Sequence, residues 1–223
     1  MTQINIKKVR TGAILLILAS AIFLSFEAIS ASAWTDPGYS YSRNFVSDLG
    51  IPVVTEFEGR PVSSPLYSFM NLGFIAYADL FVAGFCLLFH ALSGKRRTLA
   101  TTLTILYGIG CTFIALFPGY EWEWGFMHGV GAIPIFFGGS IVLMLYGTIF
   151  DRLIQKKWYK AICISFGIIA LVGAITCIVL TVDFRGLLER VALYPMPLWA
   201  ILSGILVLSN LRNVNTAAEE YQK

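Results

Sequence analysis

Charge is scarce in this sequence. Only 13% of its 223 residues are Asp, Glu, Lys or Arg, against about 25% in a typical soluble domain. That deficit excludes an ordinary water-soluble domain and a strongly charged nucleic-acid binder. Histidine is nearly absent, at two residues, and the four cysteines (Cys86, Cys111, Cys163, Cys177) all fall inside apolar runs. No disulfide framework is expected from such placement. With no Cys or His cluster, neither a structural zinc site nor any other metal or cofactor is expected. Familiar catalytic signatures are missing too: there is no GxSxG elbow, no HExxH and no Walker loop.

What is abundant is apolar sequence. The chain is 57% hydrophobic with a mean hydropathy of +0.74, and a membrane-spanning helix needs about 20 apolar residues. Six runs qualify, at about 12–33, 66–92, 99–117, 126–149, 161–182 and 197–211. The prediction is an all-α membrane protein: a six-transmembrane-helix bundle formed as one polytopic domain over 1–223. The end of the first run, Ala31-Ser32-Ala33, has the form of a signal-peptidase site. Its length and the interrupting Glu27 argue instead for a retained first helix.

Lysine and arginine set the orientation. With the N-terminus inside, twelve of the sixteen fall on inner segments, and only Arg43, Arg60, Arg185 and Arg190 on outer ones. The positive-inside rule then predicts both termini cytoplasmic and a long exoplasmic loop between helices 1 and 2; the expected location is the cell (plasma) membrane. Residues 183–195 read as a short amphipathic link lying in the interface, closed by Pro195 and Pro197. Within it Arg185 and Glu189 are i,i+4 neighbours that would pair at the surface.

The loop holds the densest polar chemistry. Between Arg43 and Asp48 it packs a cation, an amide, a hydroxyl and a carboxylate, then closes on the turn signal Gly50 and Pro52. Ionisable groups within spans are functional candidates by default. Asp79 lies halfway along span 2, with Asn71 eight residues earlier, so the two could form a polar stripe facing the bundle. The alternative is an interhelical hydrogen-bonded pair. Glu27 lies near the outer end of span 1, facing either the bundle interior or the interface. His128 opens span 4, on the face of Gly131, Ala132, Gly138 and Gly139. It suits proton transfer near neutral pH, or equally a plain bond to a backbone carbonyl.

Several segments together resemble a family. They are Arg43-Asn44-Phe45-Val46-Ser47-Asp48-Leu49-Gly50, Ser64-Pro65-Leu66-Tyr67 with Asn71, and Phe117-Pro118 with His128-Gly129-Val130-Gly131-Ala132. The last is Gly186-Leu187-Leu188-Glu189-Arg190 before Leu198-Trp199. In order and spacing they resemble a prokaryotic integral-membrane family, domain-of-unknown-function 998. A more distant likeness is to the eukaryotic Frag1/DRAM/Sfk1 membrane proteins, which implies a lipid-linked role. The stretch Val53 to Arg60 is longer than that likeness leads one to expect.

Three functions fit these residues. The first is an exoplasmic membrane-embedded enzyme, a hydrolase or transferase, or a binder acting on a lipid or lipid-linked substrate. There His128, Asp48 and Ser47 are the catalytic candidates. Arg43, Asn44, Glu27, Asp79, Arg185 and Arg190 are the substrate-binding candidates. The second is a non-catalytic lipid sensor, assembly or regulatory factor in which Arg43, Ser47, Asp48 and His128 clasp the loop over the bundle. The third is a small transporter with Asp79 and Glu27 on a proton path. Membrane lipids are the expected partners, with a homo-oligomer or another membrane protein as open alternatives and no nucleic acid.

Overall fold

The computed structural model describes residues 5–220, leaving Lys223 and the rest of the extreme polar tail outside the described residues. Its helices are α1 (Ile6–Ala33), α2 (Tyr67–Leu88), α3 (Arg97–Leu116), α4 (Phe126–Ile133), α5 (Gly139–Ile149), α6 (Lys157–Val179), α7 (Arg185–Leu193) and α8 (Pro195–Glu220). Six helical stretches are long and apolar enough to cross a membrane. The bundle expected from the hydropathy pattern is therefore the fold.

Helices α1, α3 and α6 start before the apolar runs they contain. The side chain of Asn5 caps α1 by accepting from the Lys8 amide at 3.1 Å, so the helix begins before its apolar stretch. The fourth stretch is not uniform. Pro134 has no N–H to donate back to Val130, and residues Pro134–Gly138 take a π-helical turn between α4 and α5.

The last stretch corrects the sequence reading. Residues 183–195 are not a separate link closed by the prolines: α7 runs directly into α8, and together, as Arg185–Leu211, they make the sixth stretch long and apolar enough to cross a membrane. Pro195 and Pro197 stand in the first turn of α8, where a missing N–H removes little. Glu189 and Arg190 are buried in the protein rather than exposed on a surface link.

The long loop, the α3–α4 link and the α6–α7 link gather at one end of the bundle, hereafter the loop end. The loop itself contains a tight turn at Ser47–Gly50 and a hairpin, β1 (Thr55–Phe57) paired antiparallel with β2 (Arg60–Val62). Glu58 and Gly59 join the strands with φ of 52° and 73°, the positive values that a two-residue hairpin turn demands. The apparently extra stretch Val53 to Arg60 is this hairpin.

Below the loop, the interior is aromatic. Trp199 stacks on Tyr146 with ring centroids 4.0 Å apart, and its Nε1 donates to Tyr159 at 2.9 Å. Thr104 and Tyr146 share a hydrogen bond at 2.7 Å. Every buried polar tip named here has a partner, as an interior without water requires.

Helices α3 and α4 meet backbone to backbone. A Cβ on Gly131 would stand 2.7 Å from Phe113 Cβ and 2.9 Å from the Gly110 carbonyl. The small-residue face expected around His128 thus packs on α3. Gly131→Ala should lower stability by about 1–3 kcal/mol through this overpacking. Gly129→Ala, whose added Cβ meets nothing within 4 Å, should be neutral. Thermal unfolding in detergent, read by thiol-dye labelling of the buried Cys111 and Cys163, distinguishes the two.

Candidate functional site

Two polar assemblies organise the loop end. The first centres on Arg190. Its Nε and Nη2 donate to Glu27 Oε1 at 3.2 and 3.0 Å. Its Nη1 donates to the carbonyls of Tyr41 (2.7 Å), Asn44 (2.9 Å) and Gly186 (3.0 Å). Nη2 also reaches the Tyr39 hydroxyl. Tyr194 completes the coordination of Glu27, donating at 2.8 and 2.9 Å to its two oxygens. Both charged side chains are nearly sealed, at 5% and 2% exposure.

Gly186 permits this meeting. A Cβ there would lie 2.3 Å from the Asn44 carbonyl oxygen, so only glycine lets the first turn of α7 press on the loop. The Leu187 amide donates to Ser42 O at 3.0 Å across that contact. Tyr39 donates to Phe45 O at 2.9 Å. Burial raises its pKa above that of a free phenol, against the opposing pull of Arg190, and it stays neutral.

The second assembly is built on Asp48. Arg60 reaches it with two donors, Nε to Oδ2 at 3.1 Å and Nη2 to Oδ1 at 3.2 Å, and the Phe45 amide donates to Oδ2 at 2.8 Å. Burial works against the Arg60 charge, but its bonds to Asp48 and Glu58 outweigh that and raise its pKa. Arg60 also lies 4.0 Å over the Phe45 ring. Glu58 at the hairpin tip bridges Arg60 (3.1 Å) and Arg185 (2.8 Å). Glu189 accepts from the Val46 amide and, at 3.1 Å, from Ser47 Oγ.

Beneath this roof is a cavity of about 370 Å³, within the size range of small-ligand sites. Ser47, Asp48, Glu58, His128, Arg185 and Glu189 form its polar side. Phe74 of α2, Ile114 of α3, Ala132 of α4 and Leu193 of α7 line the rest, with Ile135 and Phe136 supplied by the π-helical turn. Gly129 and Ile178 line it as well and are exposed on the outside of the bundle, so its rim reaches the outer surface between α4 and α6.

His128 is held by Nδ1, 3.0 Å from the Phe117 carbonyl. A carbonyl only accepts, so Nδ1 donates and Nε2 is left as the nitrogen available to a ligand.

The sequence candidates separate under this geometry. Ser47, Asp48, His128 and Arg185 line one cavity. Glu27 and Arg190 are bound to each other outside it. Asn44 is occupied within the loop, its Oδ1 accepting from Ser40 N at 3.1 Å and its Nδ2 donating to Pro61 O at 3.3 Å. Arg43 is exposed and borders a second recess of about 420 Å³, which meets the cavity at Glu58 and Arg185. The clasp expected from Arg43, Ser47, Asp48 and His128 is replaced by Arg190–Glu27 and Arg60–Asp48, because the buried acids take the arginines that face inward.

Asp79 needs the plainest correction. It is exposed on the outside of α2 rather than facing the bundle, and Asn71 turns away from it to donate to Gly50 O at 2.9 Å. With Glu27 sealed by Arg190, the two acids form no internal path, and the transporter reading loses its basis. The surface pair Arg185–Glu189 is likewise replaced: Arg185 binds Glu58 and Glu189 binds the loop. Sequence reasoning passed over Arg60, Glu58 and Glu189 as site residues. The signal for the first two was the Glu58-Gly59 turn signature, and for the third the adjacent Glu189-Arg190 charges within a helical pattern.

A polytopic bundle with an amphipathic cavity under a folded loop is the class that the geometry defines. A family model described as "Protein of unknown function (DUF998)" matches residues 17–206, and the chain belongs to that family. No curated protein and no solved structure matches it.

The Arg190 cluster carries a stability prediction. Arg190→Met leaves Glu27 buried without its counter-charge and should cost about 3–5 kcal/mol. Adding Glu27→Leu removes the stranded charge and should recover more than half of the loss. Thermal unfolding of the single and double variants in detergent checks this.

Proposed function

We propose that this protein binds a lipid or lipid-linked amphiphile at the exoplasmic leaflet of the cell membrane. The carrying observation is the cavity's mixed lining: acids, a hydroxyl, an arginine and a histidine stand with Phe45 and Phe57 on the loop side, and Phe74, Ile114, Ile135 and Phe136 come from the spans. An amphiphile has the matching division, with its chain along Phe74, Ile114, Ile135 and Phe136, and its headgroup against His128, Ser47 and Arg185. The rim between α4 and α6 offers lateral entry from the bilayer. The exoplasmic placement is supported by the lysines and arginines: of the fifteen among the described residues, eleven lie on segments away from the loop end.

One observation favours chemistry as a second reading. His128 Nε2 is free while Ser47 and Glu189, already hydrogen-bonded together, line the same cavity. His128 would then act as general base or acid on the bound headgroup. Asp48, with both oxygens engaged by Arg60, would hold the roof in place rather than orient the histidine.

A phosphatidylglycerol carrying a diazirine in its acyl chain, reconstituted with the protein in nanodiscs, tests the binding. Illumination should label α4, the π-helical turn and α6 above the other helices, and Ala132→Trp should reduce that labelling several-fold by filling the cavity. Even labelling of all lipid-facing helices, unchanged by Ala132→Trp, contradicts the proposal. On the catalytic reading, His128→Ala keeps the labelling but abolishes lipid turnover followed by mass spectrometry.

A further inference from the structure

Asp79 occupies the centre of the second span. Twelve residues separate it from Tyr67 and twelve from Ala91, so it lies roughly 18 Å from either end. Helix α2 turns Met70, Gly73, Phe74, Tyr77 and Phe81 inward, and Asp79 stands on the opposite side, exposed. The ion pairs among the described residues join Arg60 to Asp48 and Glu58, Arg185 to Glu58, and Arg190 to Glu27, and leave Asp79 out.

A carboxyl at this depth is expensive in lipid and is almost always found facing protein or water. In the isolated chain it faces neither. The outer surfaces of α2 and its neighbour α3 are apolar, with Leu72 at 55% exposure on α2, and Ile105 at 39% and Ile109 at 47% on α3. Along α2 the same face carries Ala76 and Ala83, three residues before Asp79 and four after it. Residues this small let a neighbouring helix approach closely.

We propose that this face of α2 is the contact between two copies of the chain, related by a two-fold axis along the membrane normal, with the Asp79 carboxyls hydrogen-bonded to each other. Symmetry supports a second copy as the occupant. Such an axis sets equal residues at equal depth, so packing this face of α2 on its own copy brings Asp79 to Asp79. In its protonated form a carboxyl both donates and accepts, so two facing carboxylic acids form two reciprocal hydrogen bonds and stay neutral without a cation. Among the described residues every lysine and arginine lies in a link or near the end of a span, so this chain supplies no mid-depth counter-charge. The interface is independent of the cavity and of the function proposed for it.

Cysteine cross-linking in native membranes tests the proposal. Cys86, the exposed cysteine of the four, is first changed to alanine. Ala83→Cys then reports on the α2 face, and Val172→Cys, 53% exposed on α6, serves as the control. Oxidation with copper phenanthroline should join Ala83→Cys chains into dimers and leave Val172→Cys monomeric. Adding Asp79→Leu, which removes a polar group from lipid and leaves the monomer intact, should lower the dimer yield about three- to twentyfold. Asp79→Asn, which still hydrogen-bonds, should keep most of it. Cross-linking no stronger at Ala83→Cys than at Val172→Cys overturns the proposal. So does a yield unchanged by Asp79→Leu, or a product with the mass of an adduct to a different protein.

Discussion

The ion pair of Arg190 with Glu27 is the constraint on which the loop end depends. The partners stand 163 residues apart in sequence, and neither charge can remain buried without the other. Arg190 does more than neutralise Glu27. By donating to the carbonyls of Tyr41, Asn44 and Gly186 it fixes the loop to α7 at the level of the backbone. Glu189, its neighbour in the chain, takes the Val46 amide and Ser47. Two adjacent residues of one helix therefore hold most of the polar first half of the loop.

The second half follows from the first. Once Val46 and Ser47 are held, Asp48 is presented to Arg60, and the hairpin is drawn over the bundle. Its tip carries Glu58 to Arg185, closing the roof on the α6–α7 side. The floor has a separate cause. Pro134 breaks the hydrogen-bond register of the fourth span, and the π-helical turn delivers Ile135 and Phe136 to the cavity. A polar roof built by ion pairs thus sits over an apolar floor built by a helix defect, and an amphiphile fits that combination.

The six spans were legible in the sequence because hydropathy and length decide them directly. The meeting of the loop with the fourth span was legible too, since Ser47 and Asp48 line one cavity with His128, far along the chain. Three things were not. The continuity of α7 with α8 was hidden because Pro195 and Pro197 read as a stop, although at a helix start they are permitted. The hairpin was hidden because three-residue strands, one containing Pro61, show almost no alternation. The direction of Asp79 was hidden because α2 is apolar around most of its circumference, so its periodicity does not mark an inner face. Which arginine meets which acid is decided only by the packing, and Arg43, Arg60 and Arg190 look alike in the sequence.

The most direct measurement is an experimental density map of the protein in a lipid nanodisc. It should show an elongated density entering between α4 and α6, with its polar end near His128 and Ser47 and its chain against Ile135 and Phe136. The Arg190–Glu27 pair should be intact beneath the loop. A cavity closed by collapsed side chains, or Arg190 turned out to solvent with the loop detached, would contradict the account.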